Sequence, residues 1–423
     1  MADSPRQVSG GPRSIGGMAP KPAALGATTA RTPMVDGLDE RRLPVLALIS
    51  LALIGFILVA METMPAGLLP DIAAGMSTSE GTVGLFVSAY ALGTVIVTVP
   101  AISLTRGFRR KPLLLVSVTG LIAANAATAI SPDVAVSLVS RFIAGSFSGI
   151  IWGMLAAYAI RISPPTRSGL ALSIMSIGAP LGFAFGTPLG AFIGGLTDWR
   201  WSFAGLSLLG LLVGLIVLGC VPDAPGLPAA TRLPLGTVFR LRGVPIVLIV
   251  IVVWMLAHST IYTYIAPYLR ATGTGITPDL MLLVYGVASL GGVALVGVFL
   301  DRHPRPLLHL SAATFTAAAA VLVVGHASAP AILVAAVLWG LSFGGAAPQL
   351  QNALTHAGGD NADIANSFLP VAFNLAIFGA GILGAVLLTA SDGLILPAAM
   401  TVLGLLALAL TKIGRRTAFA AHH

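Results

Sequence analysis

The chain contains long apolar runs, and no other feature restricts its fold as strongly. A membrane-spanning helix needs about 20 mostly apolar residues to cross roughly 30 Å of hydrocarbon. From residue 45 onward the sequence divides into twelve such runs separated by short loops. A spanning strand needs only about ten residues of alternating polarity, so these longer, uniformly apolar runs predict helices. The predicted spans are 45–69, 81–104, 112–130, 134–160, 169–195, 201–221, 245–269, 280–300, 306–327, 330–351, 364–390 and 394–411.

The composition indicates that lipid is the main solvent of the folded chain. Of the 423 residues, 56% are hydrophobic and only 9% are charged, whereas soluble domains carry about 25% charged residues. An ordinary water-soluble protein is therefore excluded. The single cysteine, Cys220, excludes an intramolecular disulfide.

The basic residues are distributed unequally between the two sides of the predicted bundle. Twenty of the 23 Lys and Arg fall in the chain ends and the even-numbered connections. Only Arg200 and Arg270 fall in odd-numbered connections, and Arg141 lies inside a span. Because cytoplasmic loops are enriched in Lys and Arg, both termini are predicted to be cytoplasmic. The same bias accounts for the net charge of +8 without a nucleic-acid partner.

An internal repeat divides the chain into two six-helix halves. The residues at 105–106 and 111–114 (TR and KPLL) parallel those at 301–302 and 305–308 (DR and RPLL), at an offset near 196. Two such halves are typical of secondary transporters. The predicted organisation is a disordered cytoplasmic tail at 1–43, the first half at 44–221, a cytoplasmic linker at 222–244, the second half at 245–411 and a cytoplasmic tail at 412–423.

Two charged residues lie where a charge costs at least about 2.5 to 3.5 kcal/mol. Glu62 lies seven residues before the predicted outer end of its span, and Arg141 seven residues after the outer start of its own. At 1.5 Å per residue both lie about 10 Å below the outer surface, so they are close enough in depth to pair. A carboxylate beside an arginine can exchange a proton as the local field changes. We expect a proton-coupling site; the alternatives are a structural ion pair or an arginine that binds backbone carbonyls.

Polar residues in the second half are candidates for a substrate cavity. His258 lies near the middle of the seventh span and is followed by Tyr262 and Tyr264. A neutral histidine there costs less than a charge, and the tyrosines suit a flat or amphipathic solute. Gln349 and Asn374 are the next candidates. For each of these residues ordinary packing remains the alternative, and for His258 a direct role as a proton carrier also remains open.

The fifth span carries a row of glycines spaced by four. Such a row lets two helix backbones approach closely, and prolines between the glycines add kinks. We expect a packing seam that also supports the movement of the helix. The residues are Gly178, Gly182, Gly186, Gly190 and Gly194, with Pro180 and Pro188 between them.

Motifs of enzymes are absent or misplaced in this sequence. The GxGxxG at 379–384 and the GxSxG at 340–344 both lie inside apolar runs and follow no strand. The seven histidines lack metal-ligand spacing, and the sequence has no P-loop. We therefore expect no catalytic site and no metal or other cofactor, with the proton gradient as the energy source.

Several segments resemble the major facilitator superfamily, and within it the twelve-helix drug/proton antiporters, including sugar-efflux, purine-efflux and chloramphenicol-resistance exporters. The likeness covers about residues 45–411. The resemblance implies an all-α fold of twelve transmembrane helices, with helices 1, 4, 7 and 10 lining a central cavity. The segments that carry it are 62–71, Arg141 with Gly145 and Gly149, the Gly186-x-Pro188-x-Gly190 motif of exporters, 198–203, and 258–267.

One departure concerns the cytoplasmic gate. The family usually has Asp before Arg in the loop after helix 2, but here Thr105 precedes Arg106, while Asp301 and Arg302 keep the pattern in the second half. We expect the gate to consist of Arg106, Asp301 and Arg302. An electrostatic interaction of Asp301 and Arg302 with nearby helix ends would stabilise the outward-facing state and act as a latch.

The sequence thus predicts a monomeric proton-coupled exporter of a small organic solute in a bacterial inner membrane. Its other partner is the lipid bilayer. Uptake by symport or uniport on the same fold is the first alternative, and a membrane-embedded enzyme or receptor is a remote one. Drugs, nucleosides, purines and sugars all remain open as substrates, because related folds host many solutes.

Overall fold

The computed structural model describes residues 43–105, 107–226, 241 and 243–414. Within these ranges every regular element is helical, and twelve helices are long and apolar enough to cross a membrane. The twelve predicted spans are therefore confirmed. The amino-terminal tail up to residue 42, Arg106, most of the predicted linker and residues 415–423 lie outside the described part of the chain.

The first six spanning helices form the amino-terminal half. Three of them begin at a side-chain cap: Ser79, Asp133 and Asp198 each accept a hydrogen bond from a backbone N–H of the first turn. The helices are α1 (Val45–Gly67), α2 (Glu80–Leu104), α3 (Arg110–Ile130), α4 (Val134–Arg161), α5 (Pro165–Leu196) and α6 (Trp199–Cys220).

The other six spanning helices form the carboxy-terminal half. They are α7 (Val244–Thr263), α8 (Pro278–Phe299), α9 (Pro304–Val324), α10 (Ala329–Gly358), α11 (Ile364–Ala390) and α12 (Ile395–Ile413). A short helix follows the first helix of each half, Leu69–Gly75 after α1 and Ile265–Thr272 after α7. The starts of these two short helices are 196 residues apart, so the repeat seen in the sequence is also present in the structure.

Three of the spanning helices are interrupted: α5, α10 and α11, the last at Phe368 between Ala362–Ser367 and Leu369–Ala390. In α5, a π-helical turn at Gly182–Gly186 separates the preceding segments from Thr187–Leu196. In α10, Gly345 separates Ala329–Gly344 from Ala346–Gly358. This helix continues seven residues beyond its predicted end at 351, because polar residues such as Thr355 and His356 end the apolar run but not the helix.

The two halves meet along α2 with α11 and along α5 with α8. We call the side where α1 begins and α12 ends the terminal face, and the other side the opposite face. Polar contacts between the halves lie toward the opposite face: Ser88 donates to the Phe378 carbonyl at 2.8 Å, and Arg270 pairs with Glu80. These contacts hold the halves together on that side.

Candidate functional site

A small cavity lies between the two halves. Its volume of about 20 Å³ has room for about one water molecule. The cavity brings Glu62 of α1 together with His258 and Tyr262 of α7, although the sequence analysis assigned these residues to separate roles. Its lining comprises Glu62, Thr63, Ala66, Val87, Phe183, Met255, His258, Ser259, Tyr262, Thr263 and Ile377.

The internal repeat relates the two walls of this cavity. Three cavity-lining residues of α1 have counterparts in α7 at an offset of 196, and these counterparts also line the cavity. Repeat-related positions of the two halves therefore face each other across the cavity, and they carry different side chains. The pairs are Glu62 and His258, Thr63 and Ser259, and Ala66 and Tyr262.

Glu62 is a buried acid with an unsatisfied oxygen. Its residue is 9% exposed, and Oε1 has no hydrogen-bond partner among the described residues. It lies in the last turns of α1, which is buried along most of its length and contains Pro65. An unpaired carboxyl oxygen inside an apolar bundle costs free energy. Because Glu62 lies beside the cavity, a proton, water or ligand that binds there can satisfy this oxygen.

Arg141 of α4 contacts the backbone of α1 and not the carboxylate of Glu62. Its Nη2 donates to the carbonyl oxygens of Met61 at 2.7 Å and Glu62 at 3.2 Å, and its Nε donates to Phe86 at 3.4 Å. No ion pair joins the side chains of Glu62 and Arg141, both of which the structure describes. The depth argument placed the two residues at one level, and the structure makes them neighbours through the main chain.

Aromatic rings surround the buried guanidinium of Arg141. The ring of Tyr90 lies 4.7 Å from its central carbon, and the ring of Phe203 lies 5.9 Å away. Arg141 is fully buried, and its Nη1 has no hydrogen-bond partner among the described residues. Carbonyl dipoles and π faces therefore offset the charge. The proton-coupling role of Glu62 and Arg141 stays a prediction.

His258 is held by rings from two other helices, α8 and α10. Its Nδ1 accepts a hydrogen bond from the indole N–H of Trp339 on α10 at 3.0 Å. Phe343 stacks on the imidazole with ring centroids 3.7 Å apart and planes inclined by 9°. Tyr285 of α8 lies 5.6 Å from it. The ring is consequently fixed in position.

Sequence reasoning missed Trp339, Phe343 and Tyr285. Each lies in an apolar run, where an aromatic residue is expected to pack, so its type alone gives no functional signal. One signal could have identified Trp339. It is a large residue with one polar atom that needs a hydrogen-bond partner, and it lies on α10, which packs beside α7.

Tyr262 presents an unsatisfied hydroxyl to the same region. The hydroxyl lies near Thr63 and Thr187 but makes no hydrogen bond of normal geometry. The two threonine hydroxyls bond each other at 2.6 Å across α1 and α5. Phe183 packs edge-on against Tyr262 with centroids 5.9 Å apart. The cavity therefore offers polar atoms from both halves within an aromatic surround.

The other three predicted cavity residues lie elsewhere. The hydroxyl of Tyr264 donates to the carbonyl oxygen of Gly381 at 2.6 Å and so ties α7 to α11. Gln349 is 2% exposed, and its amide donates to Ser311 of α9 at 3.0 Å. Asn374 donates to the Pro370 carbonyl on its own helix. The structure brings none of these three into the lining of this cavity.

The glycine row of α5 packs against α1. A Cβ atom built on Gly182 would lie 2.9 Å from the Phe56 carbonyl oxygen, which is closer than real Cβ contacts. Pro188 lies just after the π-helical turn. The row thus sets the distance between two backbones. The contacts are Gly178 with Ala52, Gly182 with Phe56, Gly186 with Ala60, Gly190 with Met64 and Gly194 with Leu68.

The predicted gate residues that the structure describes are at the terminal face. Asp301 and Arg302 are exposed in the turn between α8 and α9. On the same face, Asp223 accepts a hydrogen bond from Arg109 at 2.5 Å and from the backbone N–H of Lys111 at 3.1 Å. This contact holds the start of the linker against the loop between α2 and α3. The gate role stays a prediction.

A twelve-helix bundle with two repeat-related halves and a polar cavity between them is the architecture of a secondary transporter. The family model of the Major Facilitator Superfamily matches residues 51–381. The chain belongs to this family and is a multi-pass membrane transporter, not an enzyme. Among the described residues, no group of three His, Cys, Asp or Glu could hold a metal ion.

Related proteins agree with this assignment. Chloramphenicol efflux pumps of two Mycobacterium tuberculosis strains, H37Rv and CDC 1551, are each 32% identical over 395 residues, covering 88% of this chain and 93% of the pump. A D-xylose-proton symporter superposes with a TM-score of 0.69 at 17% identity, over 87% of this chain and 96% of its own. A bacterial homologue of the human lysosomal transporter Spinster gives a TM-score of 0.67 at 14% identity, over 90% and 98%.

Proposed function

We propose that this protein exports small amphipathic organic molecules, chloramphenicol among them, across a bacterial inner membrane in exchange for protons. The observation that carries the proposal is the shared cavity, where the unpaired carboxyl oxygen of Glu62 faces the same space as His258 and Tyr262. One half supplies a group that can exchange a proton, and the other supplies rings and hydrogen-bonding atoms for a solute.

Proton and solute compete for this cavity in the proposed cycle. Burying a charge at this depth costs at least about 2.5 to 3.5 kcal/mol of free energy. Protonation of Glu62 neutralises the carboxylate and so removes this cost. A solute that enters when the cavity widens donates a hydrogen bond to the ionised carboxylate, and this bond opposes protonation of Glu62. Arg141 holds the α1 backbone at Met61 and Glu62, so it keeps the carboxyl group in place through the cycle. Exchange of the two ligands follows from their mutual exclusion.

Efflux is the direction favoured by the relatives and by α5. The curated relatives, at 32% identity, are named chloramphenicol efflux pumps. The Gly186-x-Pro188-x-Gly190 segment resembles the motif of exporters. The likeness to the symporter at 17% identity concerns the fold alone. We therefore favour antiport over uptake by symport or uniport.

Alternating access explains how the halves move. The excess of Lys and Arg assigns the terminal face to the cytoplasm. The contacts of Ser88 with Phe378 and of Glu80 with Arg270 would then close the periplasmic side. Rocking of the halves would break them and close the cytoplasmic side. The glycine seam keeps α1 and α5 together during that movement.

The proposed latch at the cytoplasmic side includes Asp301 and Arg302, both of which are exposed. We expect Asp301→Asn to slow transport several-fold without loss of folded protein, because the negative charge that attracts a positively polarised helix end is removed. Initial transport rates in vesicles with matched protein content measure the effect. An unchanged rate would exclude the latch.

The proposed substrate and direction are tested in proteoliposomes with an imposed pH gradient. We expect radiolabelled chloramphenicol to accumulate on the acidic side and a protonophore to abolish this accumulation. We also expect chloramphenicol to be transported in preference to a nucleoside and xylose offered in parallel. Accumulation on the alkaline side would identify a symporter. Equilibration without accumulation would identify a uniporter.

A further inference from the structure

The hydrogen bond between Trp339 and His258 fixes which imidazole nitrogen carries the proton. An indole N–H can only donate, so Nδ1 of His258, 3.0 Å away, must offer its lone pair. In the neutral ring, the hydrogen is then on Nε2. A doubly protonated ring could not accept this bond.

The packing around His258 prevents the ring from exchanging its two edges. Phe343 covers one face at a centroid distance of 3.7 Å, and Tyr262 lies at 5.2 Å. The residue is only 1% exposed. A ring flip would replace Nδ1 by a C–H group against the indole and lose the hydrogen bond. The tautomer and the orientation are therefore set together by Trp339 and Phe343.

The remaining nitrogen is left for a ligand. Nε2 makes no hydrogen bond to any of the described residues, while the His258 ring lines the cavity that also contains Glu62 and Tyr262. Glu62 contributes an oxygen without a partner, and Tyr262 contributes a hydroxyl without one. A solute that reaches this space when the halves move apart meets an N–H group from His258 whose direction cannot adjust.

We propose that His258 is a fixed hydrogen-bond donor that selects solutes carrying an acceptor oxygen, such as a carbonyl, nitro or hydroxyl group, and that Trp339 is its positioning residue. This inference rests on the proposed export function. It also assigns different tasks to the two repeat-related positions: Glu62 exchanges the proton, and His258 stays neutral and recognises the solute.

The rings of Trp254, Trp339 and Phe343 form an aromatic cluster around His258, and Trp254 is a matched control for Trp339. Trp254 is also fully buried on α7 and packs edge-on against Phe343 with centroids 6.1 Å apart, but its indole N–H has no hydrogen-bond partner among the described residues. Trp339→Phe and Trp254→Phe each remove one indole from the cluster. Only the first removes the hydrogen bond to His258.

The tautomer is read from nitrogen NMR of the full chain in nanodiscs with labelled histidine. The His258 signals are assigned by their disappearance in His258→Gln. We expect the wild type and Trp254→Phe to show an unprotonated Nδ1 and a protonated Nε2, and Trp339→Phe to show a mixture of tautomers. A wild type protonated at Nδ1, or a Trp339→Phe spectrum identical to wild type, would overturn the positioning role.

The selective role is read from the split between KM and kcat for chloramphenicol. We expect His258→Leu to raise KM about tenfold, the loss of one hydrogen bond of about 1.4 kcal/mol, with kcat within twofold. His258→Gln retains an amide N–H near the same position and should recover most of the affinity. A KM in His258→Leu equal to wild type would overturn the selective role. Failure of the proposed export function is seen separately, as absence of chloramphenicol transport by the wild type; the fixed tautomer then stands or falls on the spectra.

Discussion

The two halves of this transporter share a repeat but differ in the residues they place at equivalent depth. Glu62 in the first half corresponds to His258 in the second, at an offset of 196. Arg141 lies eight residues after Asp133, the N-cap of α4, and the residue eight positions after Ser328, the N-cap of α10, is the fully buried Ala336. The first half therefore carries the two membrane-embedded charges, and the second carries a histidine among closely packed rings.

The helix seams differ in the same way. The α5 row uses glycine at each of five positions, whereas α11, which packs against α7, carries a row of mostly buried alanines at the same spacing of four. Backbones can approach more closely where no Cβ intervenes. The comparison teaches that the repeat preserved the framework while the side chains differ: the first half has buried charges and a glycine seam, and the second has a histidine among aromatic rings. The proposed mechanism assigns proton coupling to the first half and solute recognition to the second. The alanine row comprises Ala372, Ala376 and Ala380, continued by Gly384.

The largest effect should come from removing the charge that is unique to the first half. Arg141→Ala leaves the carbonyl oxygens of Met61, Glu62 and Phe86 without their donor and opens a cavity. We expect a loss of about 4 kcal/mol in the free energy of unfolding and no transport. Thermal unfolding in detergent measures the first and vesicle uptake the second. Arg141→Lys, which keeps the charge, should lose less unfolding free energy than Arg141→Ala. A wild-type melting temperature in Arg141→Ala would contradict the stabilising role of this charge in the first half.

The next largest effect should distinguish the two seams. Gly182→Leu forces a side chain against the Phe56 carbonyl oxygen and should cost about 3 kcal/mol by overpacking. Ala376→Gly in α11 should cost only about 1 kcal/mol, from lower helix propensity. Gly195→Leu is the control within α5, because a Cβ there meets nothing within 4 Å. Equal melting temperatures for Gly182→Leu and Gly195→Leu would contradict the close seam.

The smallest effect concerns the contact that joins the halves at the opposite face. Glu80 and Arg270 form an ion pair whose side chains are 21% and 58% exposed. Such pairs contribute about 0.5 to 1 kcal/mol. We expect Glu80→Gln to shift the balance between inward-facing and outward-facing states two- to fivefold, measured by distances between spin labels on the two halves. The double exchange Glu80→Arg with Arg270→Glu should restore the balance, and no shift in Glu80→Gln would exclude the pair as a gate.

The sequence predicted the fold more completely than the site. Run length predicted the twelve helices, and glycine spacing predicted the α5 row, because both depend on local pattern. Depth arithmetic placed Glu62 and Arg141 at one level, but it gives no rotation about the helix axis. It could not show that Arg141 binds main-chain carbonyls. The partners of His258 come from other helices, Trp339 among them, so only packing identifies them.

The division of tasks between the halves is tested most directly by solute-driven proton flux in inside-out vesicles. Chloramphenicol should drive protons out of acidified wild-type vesicles. Glu62→Gln should abolish this flux while still exchanging labelled for unlabelled chloramphenicol, because the second half still recognises the solute. His258→Leu should weaken affinity but keep the number of protons moved per solute. Full proton flux in Glu62→Gln would contradict the account, since the proton would then be carried by another residue.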